Sequence, residues 1–224
     1  MKIIWKDRKV YNENGEQYIS VRTFLKRFKE SNENYNYVKY KTLMSRIEDE
    51  EKRKEIQKAI FFEKTATLDY YFNQLEDKTL IDIPLPEHKR EPKVIDDLRY
   101  PNLLGKRLIN PILYDHDYKL YSITTGVSFD KKGNFKLDRF FSYEKDRAFS
   151  SIFPNYKHPI EELNTSIASR YFLIANFESW FLEKFGYNCA GIKITHYNMK
   201  RKYVVPYVPR LVKKLLDYEF GQRK

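Results

Sequence analysis

The chain has 224 residues, of which 42% are hydrophobic and 33% charged, and its formal net charge is +11. It is long enough for one large domain or a small domain joined to a larger one, with apolar side chains sufficient for a real core. One cysteine, Cys189, excludes an internal disulfide, and seven glycines are too few for a glycine-rich phosphate cradle: neither G-x-G-x-x-G nor G-x-x-x-x-G-K-[ST] occurs.

In chain order, residues 2–21 predict a small β-hairpin. "KIIW" and "KVYN" are strand-like, "ENGE" is a turn in which Gly15 is free to take positive φ, and "QYISV" is the return strand. Three apolar residues before the next charge do not make a signal peptide. Ser20 then caps a helix over "VRTFLKRFKE", with Phe24, Leu25 and Phe28 on one face. After the polar break "SNENYN", the segment "YVKYKTLMSRIED" predicts a second helix: Val38, Leu43 or Met44, and Ile47 make its apolar stripe. "DEEKRKEIQKAIFFEKTATLDYYFNQLE" continues as one long helix or two.

Residues 77–112 lose helical period and hold Pro84, Pro86, Pro92, Pro101 and Pro111, which predicts a linker or extended arm. The second half opens with an antiparallel hairpin, in which "YKLYSITTGVSF" alternates, "DKKGN" turns and "FKLDRFFSY" returns. "HPIEELNTSIASRYFLIANFESWFLEKFG" is a long helix starting at Pro159 and stopped by Gly186. It is apolar on most sides in its second half, so it is the expected core helix, and its interruptions at Asn176, Glu178, Glu183 and Lys184 are incompatible with a membrane span. "CAGIKITHY" follows as a strand and "VPRLVKKLLDYEF" as a short amphipathic helix. The expected class is α+β: a hairpin plus helical unit over 1–76, a proline-rich linker over 77–112, and an α+β domain over 113–224.

The charge is concentrated at the ends. Residues 1–47 carry 11 basic and 5 acidic side chains, residues 198–224 carry 8 and 2, and the middle is nearly neutral. A basic excess of this kind attracts polyanions, and phosphate backbones are the commonest intracellular ones.

Two stretches carry that expectation to particular residues. In residues 20–47, one helix packing on a second would leave short or cationic side chains on the outer face. Thr42, Ser45 and Arg46 would read bases, while Arg22, Lys39 and Lys41 would hold phosphates. With the preceding hairpin as a wing, this stretch resembles the winged or hairpin-flanked helix-turn-helix units of phage and mobile-element proteins. It departs from the tight form in its longer, glycine-free turn. Plain structural helices would show the same pattern. In "HYNMKRKYVVPYVPRLVKK", the run Lys200, Arg201 and Lys202 is flanked by Tyr197 and Tyr203, and cations interleaved with aromatics suit single strands or RNA. A solvated hairpin tip or a subunit-docking tail reads equally well.

Catalytic and metal signals are weak. His88, His116, His158, His196 and Cys189 fall at no metal-ligand spacing, and Asp115, His116 and Asp117 are sequence neighbours that point in different directions. "DKK" at 130–132 has the letters of a nuclease motif, with Asp138 and Glu144 near it, but sits in a predicted turn. No Ser-His-Asp or Cys-His nucleophile pattern is present. The expectation is therefore a non-enzymatic nucleic-acid-binding protein of phage or mobile-element type, favouring duplex DNA over RNA, with no cofactor, no metal and no membrane partner. It would be cytoplasmic, in a host cell interior or a phage particle, and it is a possible homo-oligomer. A structural assembly protein of a phage particle (a ring, connector or internal component) is the second expectation, and a metal-dependent nuclease the third.

Overall fold

The computed structural model describes residues 2–29, 48–51, 92–95, 97–141, 155–196 and 201–221. The hairpin at the start forms as β1 (Ile3–Lys6) and β2 (Lys9–Asn12), paired antiparallel. Asp7 and Arg8 between them both take positive φ (50° and 60°), the conformation a two-residue turn needs to match the twist of its strands. The "ENGE" turn closes on Asn12, whose Oδ1 accepts the backbone N–H groups of Asn14 (3.0 Å) and Glu16 (2.9 Å), while Gly15 sits at φ 79°. The return strand does not complete the hairpin. It touches β2 through a Tyr11–Gln17 bridge, then β3 (Ile19–Ser20) pairs in parallel with Leu120 and Tyr121, a hundred residues away.

Ser20 caps α1 (Val21–Leu25) by accepting the Thr23 N–H at 3.1 Å. The helix is shorter than its sequence suggests. It tightens into a 3-10 turn over Lys26–Phe28, and Lys29 is already extended. Packing stops it: Val21, Phe24, Leu25 and Phe28 are all buried, and a longer helix would have to carry its apolar stripe past the core it enters. The second helix expected over 34–47, and the helices expected beyond it to residue 76, lie outside the described residues apart from 48–51.

Residues 97–112, read from the prolines as the end of an arm, carry core side chains at Leu98, Leu103, Leu108 and Ile112. They include β4 (Arg107–Ile109) and the start of β5 (Ile112–Asp115). β6 (Leu120–Ile123) and β7 (Gly126–Phe129) share the alternating stretch expected as one strand. Thr124 and Thr125 break it, so that β6 joins β3 and β5 in one sheet and β7 joins another. That second sheet has the order β10–β9–β8–β7–β4, with β8 at Asn134–Phe141, β9 at Asn188–His196 and β10 at Arg201–Val205. β7 and β8 form the expected antiparallel hairpin. Its turn is shaped by Asp130, whose carboxylate accepts the N–H groups of Lys132 (2.7 Å) and Asn134 (2.9 Å), and by Gly133 at φ 87°.

The core helix, α2 (Ile167–Lys184), crosses between β8 and β9, which run parallel. It starts eight residues later than Pro159. Ser166 caps it through the Ser169 N–H (3.2 Å), and Asn164 accepts the Ser166 N–H (3.1 Å). The polar run Asn164-Thr165-Ser166 offers the backbone side-chain partners in place of a helix, and Ile160 is buried in the turns before it. Gly186 stops the helix at φ 95°, as its position implied. Leu173, Phe177, Phe181 and Leu182 are fully buried, each contributing about 1.5–3 kcal/mol of burial. The last helix, α3 (Pro209–Phe220), has Pro at its first position and lays Val212, Leu215 and Leu216 into the core. Asn176 of α2 joins the two helices, accepting the Val208 N–H at 2.6 Å. The whole is a mixed α+β fold, and the buried side chains of 2–29 and of 97–216 belong to one continuous core.

Candidate nucleic-acid interface

Along β8 the inward residues are Phe135 and Leu137, and the next of that parity is Arg139. A cation is thus delivered to the side of the sheet that faces α2. Its side chain is 12% exposed, and it pairs with Glu178 of α2, which is fully buried. Glu178 Oε1 also accepts the Ser122 hydroxyl at 2.5 Å, and Arg139 donates to the Ile123 carbonyl at 3.3 Å. A buried pair needs such extra hydrogen bonds to offset the water it loses.

The Arg139 guanidinium also lies over the ring of Tyr171, 5.2 Å from its centroid, and Arg170 approaches the same ring at 5.7 Å. Arg22 joins them from α1, donating a hydrogen bond to the Tyr171 hydroxyl. Three arginines from a short helix, a strand and a long helix therefore converge on one tyrosine. Desolvation lowers the basicity of Arg22 most, with repulsion from Arg170 next, although the residue is exposed by surface area. Protein crowded around an otherwise accessible head group reconciles the two. Lys29, half-buried, is pushed down in the same way: desolvation first, then Arg170, Lys26 and Arg22.

Of the residues singled out in the sequence, Arg22 lies in this cluster. Arg201, Lys202 and Tyr203 lie on β10, the edge strand of the five-stranded sheet; Arg201 and Lys202 are exposed and Tyr203 is half-buried. In register, Lys202 stands opposite Thr195, and Arg201 opposite His196. Lys39, Lys41, Thr42, Ser45, Arg46 and Lys200 lie outside the described residues. Lys29, Arg139, Arg170 and Tyr171 were not singled out from sequence. A signal for Arg139 was present, because it occupies the apolar parity of an alternating strand.

The carboxylates weighed for nuclease chemistry have other roles. Asp130 shapes the β7–β8 turn, and hydrogen bonds from Asn134, side chain then backbone, hold its carboxyl below the usual range. Asp138 pairs with Lys193 of β9 at 2.7 Å; Glu144 lies outside the described residues. In "YDHDY", Asp115 and Asp117 both accept Lys184 of α2, and His116 Nδ1 lies 2.5 Å from the Tyr18 hydroxyl. Among the described residues no group of three or more His, Cys, Asp or Glu side chains is placed to hold a metal ion, and no helix is long and apolar enough to cross a membrane. No protein-family model, curated protein or solved structure matches the chain.

Proposed function

We propose that the protein is a non-enzymatic nucleic-acid-binding protein of the phage or mobile-element type, holding duplex DNA through the cationic surfaces at its two ends. The observation that carries this reading is the convergence of Arg22, Lys29 and Arg170. They come from opposite halves of the chain, and the charge of Arg170 lowers the basicity of both Arg22 and Lys29. Cations crowded in this way lose repulsion when a phosphate backbone lies against them, and counterion release adds to the gain. The exposed pair Arg201 and Lys202 supplies a second, sequence-independent contact. The helix expected over 34–47 would add base reading through Thr42, Ser45 and Arg46.

The test is fluorescence anisotropy of a labelled 30-mer duplex across a salt series. Wild type binds tightly at low salt with a steep slope of log K against log salt. Arg22→Ala with Lys29→Ala lowers that slope by about 0.9 for each phosphate contact removed. Arg46→Ala with Lys41→Ala does the same if the 34–47 helix enters a groove. Duplex affinity that is weak at low salt, or flat with salt, sinks the reading.

A second reading, a structural assembly protein, draws on one observation. Val204 is 85% exposed on β10, the outermost strand of its sheet, and such an edge is a template for pairing with another chain. Light scattering that shows large oligomers at low salt, abolished by Val204→Lys, would favour it over DNA binding.

A further inference from the structure

We propose that the end of the five-stranded sheet at the β7–β8 turn binds a single strand of nucleic acid. Tyr100 offers a ring for a base to stack on, and Lys106, Arg107, Lys131, Lys132 and Lys136 around it are the phosphate contacts. This surface lies in the part of the chain that is nearly neutral by count. It goes beyond duplex binding at the two ends and does not depend on it.

Strand pairing brings the cations together. Arg107 of β4 stands opposite Ser128 of β7, and Ser128 stands opposite Lys136 of β8. These three form a row on the face of the sheet turned away from α2, because their neighbours Leu108, Val127 and Leu137 are the ones buried in the core. Two strand spacings put the Arg107 and Lys136 backbones about 10 Å apart. Lys106 precedes β4; its carbonyl accepts the Phe129 N–H (2.8 Å), and Gly105 N–H donates to the Asp130 carbonyl (3.3 Å). Those bonds hold the 105–106 loop against the turn that carries Lys131 and Lys132. The stem of Lys131 lies 4.0 Å from the place a Cβ would take on Gly105. All five cations are exposed. Among the described residues, no carboxylate lies within ion-pair distance of Lys106, Lys131, Lys132 or Lys136. Asp130, the acid of this turn, is engaged by the N–H groups of Lys132 and Asn134 and by the Asn134 side chain (2.7 Å).

Tyr100 is the independent observation. It is 50% exposed, yet its position is fixed. Its N–H donates to the Phe185 carbonyl (2.9 Å), and its ring meets that of Tyr187 edge-on at 5.6 Å. Two glycines from different loops make room for it: a Cβ on Gly133 would come within 2.9 Å of the ring, and one on Gly186 within 3.1 Å of the Tyr100 Cβ. A ring already held in place can stack a base with little loss of side-chain freedom. Gly133 belongs to the same turn as Lys131 and Lys132, so the ring and the cations adjoin. An open ring beside cations fits a single strand, whose bases are free to splay out, and not a duplex, whose bases are stacked inside.

The experiment uses the full chain and a labelled oligothymidylate about 12 nucleotides long, followed by anisotropy across a salt series, with polyglutamate as a competing polyanion. Wild type binds with a steep salt slope. Lys131→Gln with Lys132→Gln lowers that slope by about 0.7 for each phosphate contact removed. Tyr100→Leu weakens binding about 5- to 150-fold and leaves the slope unchanged, and Tyr100→Trp, which keeps a flat ring, recovers most of the loss.

No binding of oligothymidylate at low salt overturns the proposal, and so does an unchanged slope in the lysine variant. Both lysines are exposed, so that variant decides the matter even if Tyr100→Leu fails to fold. A folded Tyr100→Leu that binds as wild type does overturns it too. Polyglutamate that displaces the probe as well as unlabelled oligothymidylate does would make the patch a dock for an acidic protein instead. Single-strand binding that is lost in Arg22→Ala with Lys29→Ala, and kept in the variants at Tyr100 and Lys131, places the strand elsewhere and also overturns it. If oligothymidylate binds through Tyr100 and duplex does not bind, the two-ended duplex reading falls and this surface stands.

Discussion

The two ends of α2 hold cations in opposite states. At the C-terminal end, Lys184 donates to both Asp115 and Asp117 and lies over the rings of Trp180 (4.9 Å) and Tyr118 (5.6 Å). Burial alone would lower its basicity, but the hydrogen bonds to the two aspartates outweigh it and the net shift is upward. A cation there also suits the negative end of the helix dipole. At the N-terminal end, Arg22 and Lys29 crowd against Arg170 and are shifted downward. The first arrangement is electrostatically closed and stabilises the fold. In the second, desolvation and the nearby charge of Arg170 lower the basicity of Arg22 and Lys29. Count of basic residues would not separate them; the sign of the shift does.

Between the ends, Glu178 decides how Arg139 behaves, and removing it should have the largest effect. Glu178→Ala leaves a guanidinium that is 12% exposed with its carboxylate gone, and costs about 3–5 kcal/mol in urea unfolding. A loss below 1 kcal/mol would show that Arg139 reaches water. Next comes the closed end. Asp115→Asn removes the buried partner of Lys184 and should cost about 1.5–3 kcal/mol, towards the lower figure because Lys184 is one-third exposed and keeps Asp117. DNA affinity should not change, and a variant that loses both would blur the distinction between the ends.

The closed end also predicts a pH dependence. His116 is depressed below its usual value of 6.5, burial being the leading cause, with Asp115 and Asp117 opposing it. A group whose folded-state value is lowered stabilises the protein above its unfolded value, and that contribution is lost as pH falls through the folded one. Stability should therefore decline from just below pH 6.5 downwards, and His116→Gln should flatten that decline in urea titrations at several pH values. The smallest effect belongs to β10. Arg201→Ala with Lys202→Ala should change stability by no more than about 0.5 kcal/mol, since both are exposed. It should weaken duplex binding uniformly across sequences, and a sequence-dependent loss would make this strand a reader instead of a clamp.

Much of the fold was legible because the signals are local. Ser20 as a cap, Gly186 as a stop and the β7–β8 turn at Asp130–Gly133 each depend on a few neighbouring backbone groups. Pro159 misled for the same reason. It is a good helix starter locally, but Asn164 and Ser166 bind the backbone first. The candidate site was legible only at Arg22. Arg139 carried a signal in its parity, and Glu178 one in its place on the apolar part of α2, but neither names its partner.

By itself, then, the sequence determined the α+β class, the excess of positive charge at both ends, and some element ends, since propensity, capping and composition act over a few residues. Tertiary structure alone decided that β3 pairs with β6 and that Glu178 meets Arg139 and Ser122. It alone brought Arg22 and Lys29 near Arg170 of α2. Those meetings join residues 39 to 148 positions apart, and contacts of that span are set by which apolar faces pack together, which no local pattern specifies.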